Sequence, residues 1–333
     1  MTNEKLYLSI CIPTYDRCEL LIRCIESIVI QPEFFREKAV EIVISDNCGN
    51  IRNKEIADNY NRIYGNIRYF RNKENVFGKN FPLALDRGNG VYCKLVNDTV
   101  VFKQGSLSKI IGFIKKYEDT KPAFVFCERA EDTEEKYTDL EGLLYRVGNL
   151  FTWIGSGGIW KCDNEGLEKS CRMDDSLWPA RYLLNYCYNK ENTVVINNSD
   201  LFLVMGGKTT HYNAERFLKI FHDDYLEVIQ EYVEIGAVSH ICYDSLEKDL
   251  LFSFYTSWLV FFEFNNENGI TIDNLSLVRR LIKKTYGKQW YFEDWKRIYY
   301  KEWIAAKNQH TRAALSQMLH WGDFKRFIKK VFE

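Results

Sequence analysis

A single carboxylate, Asp98, stands between Asn97 and Thr99 where the run Gly90-Val91-Tyr92-Cys93-Lys94-Leu95-Val96 stops. Three successive oxygen-bearing side chains at the tip of a buried segment accept N–H donors and suit hard cations, which prefer oxygen ligands. The same kind of polar step closes three other apolar runs. Pro13-Thr14-Tyr15-Asp16 follows LYLSICI, Ser45-Asp46-Asn47 follows VEIVI, and Arg71-Asn72 follows NIRYF. A carboxylate such as Asp46 in a partly desolvated pocket accepts a ligand N–H. The triplet Ser45-Asp46-Asn47 is also good turn chemistry, with the Asp46 side chain bonding its own backbone.

These steps need a frame that brings them together. Leu20, Leu21, Cys24, Ile25 and Ile28 recur at helical spacing after the first strand. A second strand, a helix stopped by Gly65, a third strand, a short helix with Pro82 near its first turn, a fourth strand and the helix QGSLSKIIGFIKKYE follow. Strands alternating with helices at this rhythm predict a mostly parallel sheet with helices on both faces and right-handed crossovers. Ligands bind such sheets beyond the carboxyl ends of the strands, where the polar steps lie.

Downstream, AFVFCER is expected to continue the sheet and EDTEEKYTDLEG to be a polar connector. WIGSGGIWK reads as a turn and short strand, SLWPARYLLNYCYN as a helix after Pro179, and TVVIN as a strand. From Tyr212 the pattern is amphipathic helix. The expected division is an α/β region over 1–205 and a helical region over 206–333, with the boundary between Asn197 and Tyr212.

No GxGxxG and no Walker loop follows the first strand, so a nucleotide here is held by side chains and divalent metal rather than by a glycine-rich cradle. The absent loop also argues against a nucleotidyltransferase. The 333 residues carry a formal net charge of -1, which excludes a general polyanion binder, and no RNA-binding motif is present. Ten scattered cysteines without CxxC pairs read as reduced cytosolic thiols. The N-terminal apolar run is too short for a signal peptide, and Leu250 to Phe264 falls below the roughly 18 apolar residues of a membrane span. A cytoplasmic protein is expected. From Ser276 onward 14 Lys/Arg stand against 5 Asp/Glu. That excess, interleaved with Trp, Tyr and Phe, suits either a solvated helix face or a peripheral contact with an anionic membrane surface.

Four segments in order, LSICIPTYDRCELLIRCIESI, VEIVISDNCGN, IRYFRNKENVFGKNFPLAL and GVYCKLVNDTVVFKQGSLSKI, resemble the N-terminal half of a family 2 glycosyltransferase of the GT-A fold. The resemblance is greatest to the abequosyltransferase-like enzymes of bacterial O-antigen and capsule synthesis. It covers Leu6 to Lys116 and continues more loosely to Phe261. It implies that Pro13, Thr14 and Tyr15 border the donor's ribose or base, that Asp46 faces the base, and that Arg71 and the segment Asn75 to Asn80, with Gly78 and Lys79, line the sugar-nucleotide pocket. Asn97 and Asp98 would complete the donor site.

In this family the fourth strand ends in a DxD-type motif that binds Mg²⁺ or Mn²⁺ and neutralises the diphosphate leaving group. Here Asn97 and Thr99 occupy the two acidic positions, and Thr99 is the weaker metal ligand of the two kinds. Three readings stay open. Asp98 holds the metal with water and diphosphate, or Lys79, Lys94 or another basic residue replaces the cation, or turnover is lost.

Inversion needs a general base. The resemblance points to Asp175 or Asp174, ahead of an aromatic-rich helix that either could instead cap; His222, Asp223 and Asp224 form a second acidic cluster. Trp153, Trp160 and Trp178 have the shape to stack on sugar faces, and core packing is the simpler use of each. The implied activity is inverting transfer of a sugar from a nucleotide-diphosphate donor to a lipid-linked oligosaccharide at the inner membrane face. The alternative is a non-catalytic GT-A scaffold within a polysaccharide assembly complex.

Overall fold

The computed structural model describes residues 5–49, 51–127, 131–163, 177–189, 193–204, 210–264 and 270–320. In chain order its regular elements begin with β1 (Leu8–Thr14), α1 (Cys18–Val29), α2 (Pro32–Phe35), β2 (Val40–Asp46), α3 (Arg52–Tyr64), β3 (Ile67–Arg71), α4 (Asn80–Asp86), β4 (Tyr92–Leu95), β5 (Val100–Phe102) and α5 (Ser106–Tyr117). Then come β6 (Ala123–Phe126), β7 (Glu134–Tyr137), α6 (Leu140–Val147), β8 (Gly158–Trp160), α7 (Trp178–Asn189), β9 (Val194–Asn197) and β10 (Phe202–Val204).

The main sheet has the order β3-β2-β1-β4-β8. Its first four strands are parallel and β8 pairs antiparallel to β4. Strands β1 and β2 are buried along almost their whole length, which is why they read as unbroken apolar runs rather than as alternating ones. Their side chains still divide by parity. Ile10, Ile12, Ile42 and Ile44 pack with Leu21, Cys24, Ile25 and Ile28 of α1 and Ile56 of α3. Cys11, Val43, Cys93 and Leu95 face Ala84 and Leu85 of α4, with Trp178 in the same cluster. Helices thus cover both faces. Each Leu or Ile so enclosed contributes about 1.5–3 kcal/mol of transfer free energy. Helix α3 ends where predicted, because Gly65 takes a left-handed φ of 76° and its N–H returns to Asn61 O at 2.8 Å.

Two expectations need correction. AFVFCER does not extend the main sheet: β6 pairs with β9 in a separate sheet of order β6-β9-β7. A strand enclosed on both faces carries no pattern that names its partner. The segment EDTEEKYTDLEG is not only a connector, since Glu134–Tyr137 forms β7, antiparallel to β9, and α6 begins at Leu140. Its polar composition is that of a half-exposed edge strand. There Glu135 accepts from Arg146 Nε at 2.8 Å and from Asn198 Nδ2 at 2.8 Å, and the Arg146 bonds pull its pKa down to about 2. Strand β5, unforeseen, pairs antiparallel with β10.

The chain divides into two compact units: residues 1–207 with 220–246, and residues 208–219 with 247–333. The remaining elements are β11 (Thr210–Tyr212), α8 (Ala214–Leu218), α9 (Tyr225–Glu234), α10 (His240–Asp249), α11 (Thr256–Phe264), β12 (Ile270–Ile272), α12 (Leu275–Tyr286) and α13 (Phe292–His320). In the second unit Phe217 meets Phe254, Tyr255, Trp258 and Phe262, and Trp295 donates from Nε1 to Thr256 Oγ1 at 2.9 Å. Among the described residues no helix is long and apolar enough to cross a membrane.

Candidate active site

The polar steps converge because their strands are neighbours. Thr14 is opposite Asp46 in the β1–β2 register, and Asp46 is opposite Arg71 in the β2–β3 register. Asn47 N–H donates to Thr14 O at 2.9 Å, and Val96 N–H to Cys11 O at 3.0 Å, which keeps the chain after β4 beside β1. Thr14 Oγ1 then donates to Asp98 Oδ2 at 2.8 Å. Asp16, Cys48 and Phe77, in three loops at this end, all have positive φ (53°, 63° and 48°). Such conformations cost energy in non-glycine residues and cluster at functional sites.

Asp46 is fully enclosed. Its Oδ1 accepts Gly49 N–H at 2.6 Å, and its Oδ2 accepts Tyr69 Oη–H at 2.6 Å and Asn53 Nδ2 at 3.3 Å. Burial first, then the bond to Asp46, pushes the Tyr69 phenol up. A Cβ on Gly49 would lie 2.8 Å from Asp16 N and 2.9 Å from Asp46 Oδ1, so the turn closes only around glycine. Arg71 Nη2 donates to Gly49 O at 3.0 Å and secures the same turn.

Beside it runs a chain of side-chain amides. Ser45 Oγ donates to Asn80 Oδ1 at 2.6 Å, Asn72 Nδ2 to Asn80 Oδ1 at 2.9 Å and to Asn47 Oδ1 at 3.2 Å, and Asn47 Nδ2 to Asn75 Oδ1 at 2.7 Å. Arg87 closes it through Ser45 Oγ at 2.6 Å and Asn72 Oδ1 at 2.8 Å. The chain holds the turn Phe77–Lys79 against the end of β2: Val76 N–H reaches Asn47 Oδ1 at 2.8 Å. Gly78 is buried there, Lys79 is half-buried and Phe77 is exposed.

Asp98 is 2% exposed. Besides Thr14 it accepts Arg17 Nη1 on Oδ1 at 3.1 Å. Burial pushes its carboxyl above the usual value, against the pull of Arg17 and the Thr14 hydroxyl. Tyr15 is exposed and Pro13 half-buried at the same end. Thr99 is buried, and half-buried Asn97 has its Oδ1 enclosed with no donor among the described residues.

Residues 9–160, which hold every one of these side chains, match the family model described as Glycosyl transferase family 2. They are a family 2 glycosyl transferase domain. Over 128 residues the chain is 31% identical to abequosyltransferase RfbV of Salmonella typhimurium, covering 38% of this chain and 37% of that one. Over 229 residues it is 29% identical to the GalNAc(5)-diNAcBac-PP-undecaprenol beta-1,3-glucosyltransferase of Campylobacter jejuni, covering 65% and 66%. The chain thus spans 37% and 66% of the lengths of these two relatives. Staphylococcus aureus TarS 1-349, in its complex with UDP-GlcNAc, superposes with a TM-score of 0.52 at 15% identity, over 92% of this chain and 81% of that one. The fold is the GT-A-like α/β arrangement followed by a helical C-terminal region.

Family 2 enzymes commonly use a divalent cation. The strand tip here does not fit one. It offers one carboxylate, with both oxygens already accepting and a guanidinium on one of them. Its neighbours Asn97 and Thr99 are neutral, and no group of three His, Cys, Asp or Glu side chains with metal-holding geometry occurs among the described residues.

Lys94 is not a substitute cation at this tip. It is fully buried, donates from Nζ to Gly155 O at 2.6 Å and lies over the Phe126 ring at 4.1 Å. Trp160 and Trp178 are core residues, the first donating to Pro122 O at 2.7 Å and the second stacked on Tyr182. Trp153 is partly buried against the main core. His222 Nδ1 pairs with exposed Asp223 at 2.7 Å. Asp174 and Asp175 lie outside the described residues.

Sequence reasoning missed Arg17 and Tyr69; it placed Asn47, Asn72 and the segment Asn75 to Asn80 at the site without foreseeing that their amides bond one another. Arg17 stands unremarked at the start of the first helical run. The recurrence of Asn at strand ends was the available signal for the rest.

Proposed function

We propose that this chain is an inverting glycosyltransferase that moves one sugar from a nucleotide-diphosphate donor to a lipid-linked saccharide in bacterial surface-polysaccharide synthesis. The observation that carries the reading is the meeting of Thr14, Asp46 and Asp98 at the carboxyl ends of the central strands within the family 2 domain. The names of the two relatives, one an abequosyltransferase and one acting on an undecaprenyl-diphosphate-linked saccharide, support the acceptor class.

In this reading Tyr15, Arg71, Gly78 and Lys79 border the base and ribose, and Asp46 shapes that wall through its turn. The diphosphate lies toward Asn97 and Asp98. The bond between the anomeric carbon and the diphosphate oxygen breaks as an acceptor hydroxyl attacks from the opposite face. Its proton passes to a carboxylate, for which Asp175, with Asp174 beside it, is the proposed base. The basic helices α12 and α13, with exposed Trp290 and Tyr300, support peripheral contact with the anionic inner face of the membrane. Residues 1–205 would carry donor binding and catalysis, and 206–333 the membrane-surface or acceptor contact.

The test is release of nucleoside diphosphate from a panel of nucleotide sugars, with and without lipid-linked acceptor. Turnover that falls about 10²–10⁴-fold in Asp175→Asn or Asp174→Asn supports the assignment. A specific observation favours a second reading, a donor-binding scaffold without turnover: neutral Asn97 and Thr99 flank the single acid. Binding of nucleotide without any release from the panel would favour the scaffold.

A further inference from the structure

We propose that the Arg17 guanidinium, held on Asp98, does the work of the missing metal and binds the donor diphosphate directly. The inference rests on the nucleotide-sugar reading above and gives that site a cation of its own.

Three observations lead to it. First, both oxygens of Asp98 are already engaged. Oδ2 accepts from Thr14 at 2.8 Å and Oδ1 from Arg17 at 3.1 Å, so a dication would have to displace the guanidinium or sit against it. Second, Arg17 already offsets the charge of Asp98, and neither Asn97 nor Thr99 adds a second acid at the end of this strand. Third, Arg17 is built to face outward while anchored inward. Its side chain is 36% exposed, against 2% for its partner Asp98. One terminal nitrogen engages Asp98, and a guanidinium carries five N–H donors in a fixed fork that matches phosphate oxygens.

The anchoring is positional. Thr14 at the end of β1 and Arg17 just before α1 approach Asp98 from either side of a short bend in which Asp16 has a positive φ of 53°. Asp98 therefore acts as a positioning residue that orients the guanidinium, and Arg17 is the group that touches the diphosphate. Lys94 cannot serve, being committed to Gly155 in the core.

The test is calorimetry of UDP, GDP, CDP and dTDP with the intact chain, in EDTA and in Mn²⁺. We expect one of them to bind with an affinity that differs by less than about threefold between the two conditions. Arg17→Gln should weaken it by about 30-fold or more in EDTA, the scale of a lost charge-assisted pair. Arg17→Lys should recover part of that loss, as a point charge without the fork. The matching nucleoside monophosphate should feel Arg17→Gln less than the diphosphate does. Circular dichroism of both variants should match wild type, and because Arg17→Gln leaves buried Asp98 without its counter-charge, binding is compared well below the Tm of each variant. Binding that requires Mn²⁺ and ignores Arg17→Gln overturns the inference and leaves the nucleotide-sugar reading standing. Failure of all four nucleotides to bind wild type in either condition overturns that reading, and the inference with it.

Discussion

Asp46 at the end of β2 and Asp98 just past β4 lie on either side of β1 and are almost equally enclosed, at 0% and 2% exposure, yet they are held in opposite ways. Asp46 is surrounded by three neutral donors, Gly49 N–H, Tyr69 Oη–H and Asn53 Nδ2, all local to its turn or to the next strand and helix. Asp98 is held by a hydroxyl and a cation from a loop more than eighty residues away in sequence, and the cation faces outward. Neutral donors on every side make a carboxylate part of the framework. A carboxylate that orients an exposed guanidinium shapes chemistry at the surface of that framework. Two acids that look alike in a sequence thus divide into a turn anchor and a charge anchor.

The largest effect should come from Asp46→Ala. It leaves the enclosed Gly49 N–H and Asn53 amide and the half-buried Tyr69 hydroxyl without an acceptor, at about 1–3 kcal/mol for each enclosed group left unsatisfied. The expected loss is about 3 kcal/mol, read as a fall in the urea midpoint with m unchanged. A loss below about 0.5 kcal/mol would remove the contrast. Tyr69→Phe deletes one of those bonds and should cost about 1 kcal/mol in the same measurement.

The smallest stability effect should come from Asp98→Asn, with Tm equal to or above wild type while sugar transfer falls at least about tenfold, since a misplaced binding group costs rate more than stability. The direction follows from the raised carboxyl. The folded chain holds that proton more tightly than the unfolded chain does, so the stability Asp98 lends is present in acid and is lost as pH rises through its folded value. At neutral pH the buried ionised form is a burden that Asn removes. Glu135 supplies the opposite sign. Its pKa, lowered to about 2 by Arg146, lends stability above the usual carboxylate value of 4.5 that disappears as pH falls toward 2. Thermal scans against pH should therefore separate both variants from wild type near neutrality with opposite signs, Asp98→Asn at or above it and Glu135→Gln below it, and both differences should shrink in acid.

Much of the main sheet was legible because βα alternation, Gly65 and Pro82 each leave a local mark. The meeting of the polar steps followed from parallel order alone, and Thr14 beside Asp98 is its consequence. What was not legible depends on partners distant in sequence. Strand β6 is apolar on both sides, so nothing in AFVF distinguishes β9 from β4 as its neighbour. Strand β7 is polar because it lies at an edge, which makes it read as a loop. Lys94 was read by its charge, whereas its position inside a strand buried on both faces put it over Phe126. Arg17 was passed over because a basic residue at a helix start carries no sign of the acid it will meet eighty residues later.

Backbone amide exchange of the intact chain, measured with whichever of UDP, GDP, CDP or dTDP binds, tests the central claim that these strand ends form one nucleotide-diphosphate site. The account predicts joint slowing in residues 14–18, 71–80 and 96–99, with α12 and α13 unchanged. Protection confined to one of these segments, or located elsewhere in the chain, would contradict it.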